Sequence, residues 1–151
     1  MIFCSLGSYS FCNQFIVTPV VVQGKSMLPT LREGEFYLLN RWSYRHREPK
    51  RGELVVLRDP GHSDYAVKRL IGLPGENIRL SEGQVLVNNK PLQEPYLTPK
   101  LKTFAPHGRE QRIALGKDEY YVLGDNRLVS EDSRYYGPIS RRQLAGNIYL
   151  R

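Results

Sequence analysis

A chain of 151 residues with 40% hydrophobic side chains is long enough for one domain with a real core, and its 25% charged residues exclude a polytopic membrane protein. The formal charge of +7 suits an anionic partner. Nucleic acid and an acidic lipid surface both qualify, so charge alone does not choose between them.

No charged side chain precedes Lys25, yet Ser5, Ser8, Ser10, Asn13, Gln14 and Thr18 interrupt the apolar residues and Pro19 ends the run. A spanning helix needs about 20 mostly apolar residues, so this segment is marginal. It also lacks the basic start and small-residue end of a signal peptide. We read Met1 to about Gln14 as the end of a membrane anchor whose earlier part lies outside this sequence, against the plainer alternative of an apolar terminus packed on the domain. Cys4 and Cys12 fall in the same segment and match neither a disulfide framework nor zinc-ligand spacing; no metal or cofactor is expected.

From Glu35 onward the chain reads as short strands: "EFYLLN" (35–40), "ELVVLR" (53–58), "YAVKRLIGL" (65–73), "NIRL" (77–80), "QVLVNN" (84–89), "EYYVLGD" (119–125) and "AGNIYL" (145–150). These are rich in β-branched and aromatic residues. Gly34, Arg51-Gly52, Pro60-Gly61, Pro74-Gly75, Glu82-Gly83 and Asn88-Asn89 punctuate them with turn chemistry, which makes 77–92 a hairpin. Residues 94–110, with Pro95, Pro99, Pro106 and Gly108, read as a long exposed connection, and 140–144 is the one helix candidate. The fold class is therefore mainly β, with mixed antiparallel sheets and little helix.

Two stretches invite chemistry. In "VVVQGKSMLPTL" (20–31) Ser26 stands between glycine, lysine, methionine and proline, as either a turn tip or a presented nucleophile. A nucleophilic serine needs a base. His46 sits in a basic run, His62 in a turn and His107 in the Pro-rich connection, all positions of solvated loop residues. Lysine is the alternative base, and Lys68 lies inside an apolar strand, where alternation points it and Arg69 to opposite faces, one of them drier. Burial lowers a lysine pKa. The second stretch, "LGDNRLVSEDSRYYGPI" (123–139), is a loop dense in Gly, Asp, Asn, Ser and Arg, hence either Asx-type turns or a site.

Taken in order, "GKSMLPTLREGE", "KRGELVVL", "YAVKRLIGLPGE" and "GDNRLVSEDSRYYGP" resemble the sequence boxes of the type I signal peptidases, membrane-bound Ser-Lys proteases that remove signal peptides from exported preproteins. The likeness runs from about Pro19 to the C-terminus. It implies a barrel-like, mainly β catalytic domain over 19–151, with 1–18 as the remnant or short anchor, in a compact form without a large extra β-domain. It makes Ser26 the nucleophile, Lys68 the general base and Ser130 the hydroxyl that orients the lysine. It makes Arg69, Asp125, Asp132, Arg134 and Gly124 the structural support of the site. Some members carry a hydroxyl residue where this chain has Gly24, so the Ser26 backbone N–H carries more of the oxyanion load. Val20, Val22, Met27, Tyr37 and Val67 fall at pocket positions. An extended substrate with small residues at the first and third positions before the cut (Ala-x-Ala) is expected to pair with Val20 to Gln23 and with Asp64 to Ala66.

An unperturbed lysine is neutral in only about one molecule in 2,500 at pH 7, a cost of roughly 4.6 kcal/mol that burial has to remove. A positive Lys25 beside Ser26 would help if it lay close to Lys68. The implied partners are preprotein signal peptides and a phospholipid membrane, with no nucleic acid, and the implied place is a bacterial cell membrane, single-pass, with the catalytic domain on the extracytoplasmic side. Trp42, Tyr44, Arg41, Arg45, Arg47, Lys50 and Arg51 are candidates for lipid contact or a solvated loop. Two rivals share features: Ser-Lys self-cleaving repressor-type proteins, which lack the "GDNR" loop box, and basic β-barrel nucleic-acid modules, which need basic and aromatic residues on one strand face.

Overall fold

The computed structural model describes residues 17–61, 64–108 and 110–149, the His107 side chain excepted. Most of the anchor expected in residues 1–18, with Cys4 and Cys12, lies outside the described residues, as do His62, the His107 side chain and Leu150 of the predicted last strand. The larger sheet contains β1 (Val17–Val21), β2 (Phe36–Asn40), β3 (Leu54–Arg58), β4 (Tyr65–Gly72), β9 (Glu119–Leu123), β10 (Ile139–Ser140) and β11 (Leu144–Ile148). Its order is β1-β2-β11-β3-β4-β9-β10. The smaller contains β5 (Asn77–Ser81), β6 (Gln84–Val87), β7 (Lys90–Pro91) and β8 (Gln111–Ala114), in the order β7-β6-β5-β8. The strand pairings are antiparallel, and the architecture is the mainly β half-barrel type with little helix.

Strand β3 shows why the centre of the larger sheet reads as an unbroken apolar run. Leu54 and Val56 pack with Val22, Met27 and Leu31 on one face, while Val55 and Leu57 pack with Leu70, Tyr120 and Val122 on the other. A strand buried on both faces has no polar side to alternate with. The hairpin predicted at 77–92 forms as well, with two successive turns. Glu82 (φ 54°) with Gly83 (φ 79°), and Asn88 (φ 50°) with Asn89 (φ 64°), take positive φ at both central positions of two-residue connections. That is the turn whose twist matches the flanking strands.

Several expectations are corrected. The predicted helix at 140–144 is a single 3-10 turn, Arg141–Gln143, held by reciprocal bonds between Ser140 and Gln143. Helical turns instead occupy α1 (Ser43–His46) and α2 (Ser133–Tyr136), each too short to show a period. Residues 94–110 are not simply exposed: Ala105 is buried in the apolar cluster with Ile78, Leu80 and Val85, Thr103 is buried against Arg127, and Glu94 and Tyr96 meet Arg127 and Arg69.

Candidate functional site

Lys68 and Arg69 sit at the middle of β4 and are both buried, 4% and 6% exposed, so the single dry face expected for one of them is in fact two. Their surroundings differ. Arg69 makes a bidentate pair with Asp125, Nε to Oδ1 at 2.8 Å and Nη2 to Oδ2 at 2.6 Å, and donates to the Gly52 carbonyl at 2.8 Å. Lys68 Nζ donates to a neutral group, Ser130 Oγ, at 3.2 Å. Burial pushes the Lys68 ammonium below its usual range; Asp132 and Asp59 oppose this and Arg134 adds to it. The cation acting on Lys68 is thus Arg134, and Lys25 is exposed.

The loop that follows β9 is built around Asp132. Its carboxylate accepts from the Gly124 N–H at 3.0 Å, caps α2 through the Arg134 N–H at 3.2 Å, and holds the Arg134 guanidinium at 2.8 and 2.9 Å. Arg134 in turn donates to the Ser130 carbonyl at 3.1 Å. Ser130 is therefore fixed from its backbone while its hydroxyl faces Lys68. Gly124 is required by space: a Cβ there would lie 2.2 Å from Ser130 Oγ and 2.6 Å from the Ser26 carbonyl oxygen. Any side chain would drive the two serines apart.

Ser26 joins from the turn after β1 and is partly exposed. Its carbonyl accepts from the Asn126 N–H at 2.9 Å, and the Lys25 carbonyl accepts from Asn126 Nδ2 at 3.1 Å. Among the described residues the Ser26 hydroxyl makes no hydrogen bond to Lys68, and the Ser26 N–H has no acceptor. Gly24 has φ +83°, a conformation a β-carbon strains, and its N–H donates to Glu33 at 3.1 Å. Val22 and Met27 are core residues of the apolar cluster on that side of β3, with Val20, Tyr37 and Val67 packed against it, so the expected pocket positions come together.

Two strand edges run towards this point. β9 pairs with β4 only from Arg69 onward, which among the described residues leaves Tyr65 to Val67 with one open edge beside Asp64. Among the described residues β1 pairs on one side only, with β2, and Gln23 beyond it is exposed. Among the other named candidates, His46 is an exposed residue stacked near Trp42. Tyr44 is buried and donates to Glu53, while Arg47 and Arg51 pair with Glu53 and Glu76, so these three do not form a lipid-facing group. Among the described residues no His, Cys, Asp and Glu cluster could hold a metal.

Four contributors were not picked out from the sequence. Arg127 donates to the Gly124 carbonyl at 3.0 Å and pairs with Glu94, Thr30 donates to Asp125 at 2.5 Å, and Asn126 carries the Ser26 contact. Only Arg127 and Asn126, inside "GDNR", carried a signal, since they share the loop box with residues already singled out. Glu94 and Thr30 look like any surface polar residue in sequence.

The geometry has clear relatives. A family model described as "Signal peptidase, peptidase S26" matches residues 1–151. The chain is 38% identical over 152 aligned residues to signal peptidase IB of Staphylococcus aureus, across 92% of this chain and 79% of that protein. It is equally 38% identical over 144 residues to the probable signal peptidase I-2 of Synechocystis sp., across 91% of this chain and 63% of that protein. A crystal structure of a signal peptidase I from Enterococcus faecalis V583 superposes with a TM-score of 0.58 at 25% identity, covering 68% of this chain and 98% of that one.

Proposed function

The chain belongs to the signal peptidase family, peptidase S26, whose members are membrane-associated serine endopeptidases that remove signal peptides from preproteins, and we propose that Ser26 is its nucleophile and Lys68 its general base. Neutral Lys68 takes the proton from Ser26 Oγ as that oxygen attacks the carbonyl of the last signal-peptide residue. The ammonium then gives the proton to the amine of the leaving mature chain. A water, deprotonated by Lys68 in its turn, hydrolyses the acyl-enzyme and frees Ser26.

The observation that carries this reading is a buried lysine paired with a neutral hydroxyl and given, among the described residues, no carboxylate in direct contact. Such a group is held ready to lose its proton. Ser130 orients it, and the support residues Asp125, Arg69, Asp132, Arg134 and Gly124 hold the loop that carries Ser130. The unpartnered Ser26 N–H is the oxyanion donor, a role that the absent hydroxyl at Gly24 leaves to it. Hydrogen bonds of catalytic groups are often long before substrate binds, so the open Ser26–Lys68 link tightens in the complex.

The open edges at Val20 to Gln23 and Asp64 to Ala66 suit an extended peptide added as a strand, with small side chains seated on Val20, Val22, Met27, Tyr37 and Val67. Val21, Phe36 and Leu38 expose large apolar side chains, and an apolar groove of about 480 Å³ runs between Val17, Pro19, Phe36, Leu38 and Tyr149. This face, with exposed Trp42 and Arg45 at its end, is proposed to rest on the phospholipid surface. A bacterial cell membrane with the catalytic domain on its extracytoplasmic side, tethered by a single-pass anchor whose remnant or short form lies in the residues before β1, completes the proposal. Among the described residues no helix is long and apolar enough to cross.

Family membership removes the self-cleaving repressor and nucleic-acid readings. The test is cleavage in detergent of a preprotein whose signal ends in Ala-x-Ala, with the new N-terminus sequenced. Cleavage after the second alanine, lost in Ser26→Ala at unchanged melting temperature, supports the assignment; cleavage by Ser26→Ala ends it.

A further inference from the structure

Arg127 is fully buried in its side chain, yet it contacts none of the proposed reacting groups. Its Nε donates to the Gly124 carbonyl at 3.0 Å, its Nη2 pairs with Glu94 Oε1 at 2.5 Å, and its Nη1 also reaches Thr103 Oγ1. Glu94 Oε1 accepts in addition from the Tyr96 hydroxyl at 2.8 Å. The Tyr96 ring lies 3.8 Å under the Arg69 guanidinium, and Arg69 returns to Asp125, the residue next to Gly124. These contacts form a closed circuit: Gly124, Arg127, Glu94, Tyr96, Arg69, Asp125.

We propose that Glu94 and Tyr96, together with Arg127, are positioning residues of the active site, which act by clamping the Gly124–Asp125 peptide from the outside. This rests on the assignment of Ser26, Lys68 and Ser130 above. Gly124 lies between the segments of the two serines, since a Cβ there would meet both Ser130 Oγ and the Ser26 carbonyl. Its N–H is already fixed by Asp132, so its carbonyl is the remaining freedom, and Arg127 holds it. The segment bearing Glu94 and Tyr96 thereby becomes part of the catalytic apparatus although it never touches substrate. Glu94 is the carboxylate that keeps Arg127 in place, since an unpaired buried guanidinium would move to solvent.

The distinguishing variant is Arg127→Lys. It keeps a cation for Glu94 but loses the planar fork that reaches Gly124 at the same time. The experiment compares wild type, Arg127→Lys, Glu94→Gln, Tyr96→Phe and Ser26→Ala in preprotein cleavage, at a temperature well below every melting midpoint. The expected result is a fall in kcat on the order of 10-fold to 100-fold for Arg127→Lys and Glu94→Gln, as for reacting groups displaced by about 1 Å. Tyr96→Phe falls less, because it loses one hydrogen bond and keeps its ring on Arg69. KM stays within about twofold and the acidic limb of the pH profile stays in place, since neither the pocket nor Lys68 is touched. A kcat for Arg127→Lys and Glu94→Gln equal to wild type overturns the clamp, as does a loss that follows the unfolded fraction or appears wholly in KM. An active Ser26→Ala overturns the underlying assignment instead, so the two failures are separate.

Discussion

Lys68 and Arg69 are neighbours on one strand, buried to the same degree, and treated in opposite ways by the fold. Arg69 receives a bidentate carboxylate, a backbone carbonyl and an aromatic ring. Lys68 receives one hydroxyl. The nearest carboxylates that act on it do so at a distance and are outweighed by burial. One face of β4 thus carries a carboxylate-paired guanidinium, and the other carries the amine that we propose as the general base. The two faces exist because a strand alternates and because this strand is covered on both sides.

The largest effect expected from disturbing this contrast comes from making Lys68 resemble its neighbour. Lys68→Arg puts a group that cannot lose its proton where the base must stand, and cleavage should fall by roughly 10²- to 10⁴-fold at every accessible pH. Initial rates from pH 6 to 10 check this; a rate that recovers at high pH would mean that residue 68 is not the base.

Next in size is Arg69→Met. Removing one partner of a buried pair leaves Asp125 uncompensated and should cost about 3–5 kcal/mol in urea unfolding. An unchanged urea midpoint would show that Asp125 is already satisfied by Thr30 alone. Ser130→Ala is smaller, the loss of one hydrogen bond to the base, worth about 1–3 kcal/mol and hence roughly 5- to 150-fold in kcat. Its melting midpoint should stay close to wild type, because Ser130 is held mainly through its carbonyl by Arg134.

The smallest effect is the most diagnostic, because the substitution that damages Arg69 should help at Lys68. A lysine harder to protonate folded than unfolded binds fewer protons in the native state, so its share of stability rises with pH up to the unfolded pKa of about 10.4 and is lost as pH falls through the lowered folded value. Lys68→Met removes that low-pH penalty. It should melt roughly 2–4 °C above wild type at pH 7, about 1 kcal/mol, and the gap should close as pH approaches 10. A Lys68→Met protein less stable than wild type at pH 7 would mean that the lysine is a favourably placed cation after all.

Much of this contrast was legible in the sequence. The lysine inside an apolar strand, the serine beside proline and the polar loop after "EYYVL" are each local signals, and their order supplied the rest. The hairpin turns were legible because positive φ favours Gly and Asn. What stayed hidden depends on distance along the chain. Glu94 and Arg127 lie 33 residues apart, and nothing in "QEPY" distinguishes a carboxylate that will neutralise a buried guanidinium from one in solvent. Strand β8 offers one inward aliphatic, Ile113, too little for a period of two to show. Both faces of β4 proved dry because neighbouring β3 carries Val55 and Leu57 into one core and Leu54 and Val56 into another, a fact of sheet order that alternation alone does not contain.

The central claim, that Lys68 works as a neutral base, is tested most directly by the pH dependence of kcat/KM for preprotein cleavage by the wild-type chain. The account predicts a single acidic limb of unit slope, with activity rising with pH and levelling off well below the ~10.4 of a free lysine, since burial lowers the pKa of this amine and only its neutral form accepts the Ser26 proton. A profile with no acidic limb, or one still rising through pH 10, would contradict it.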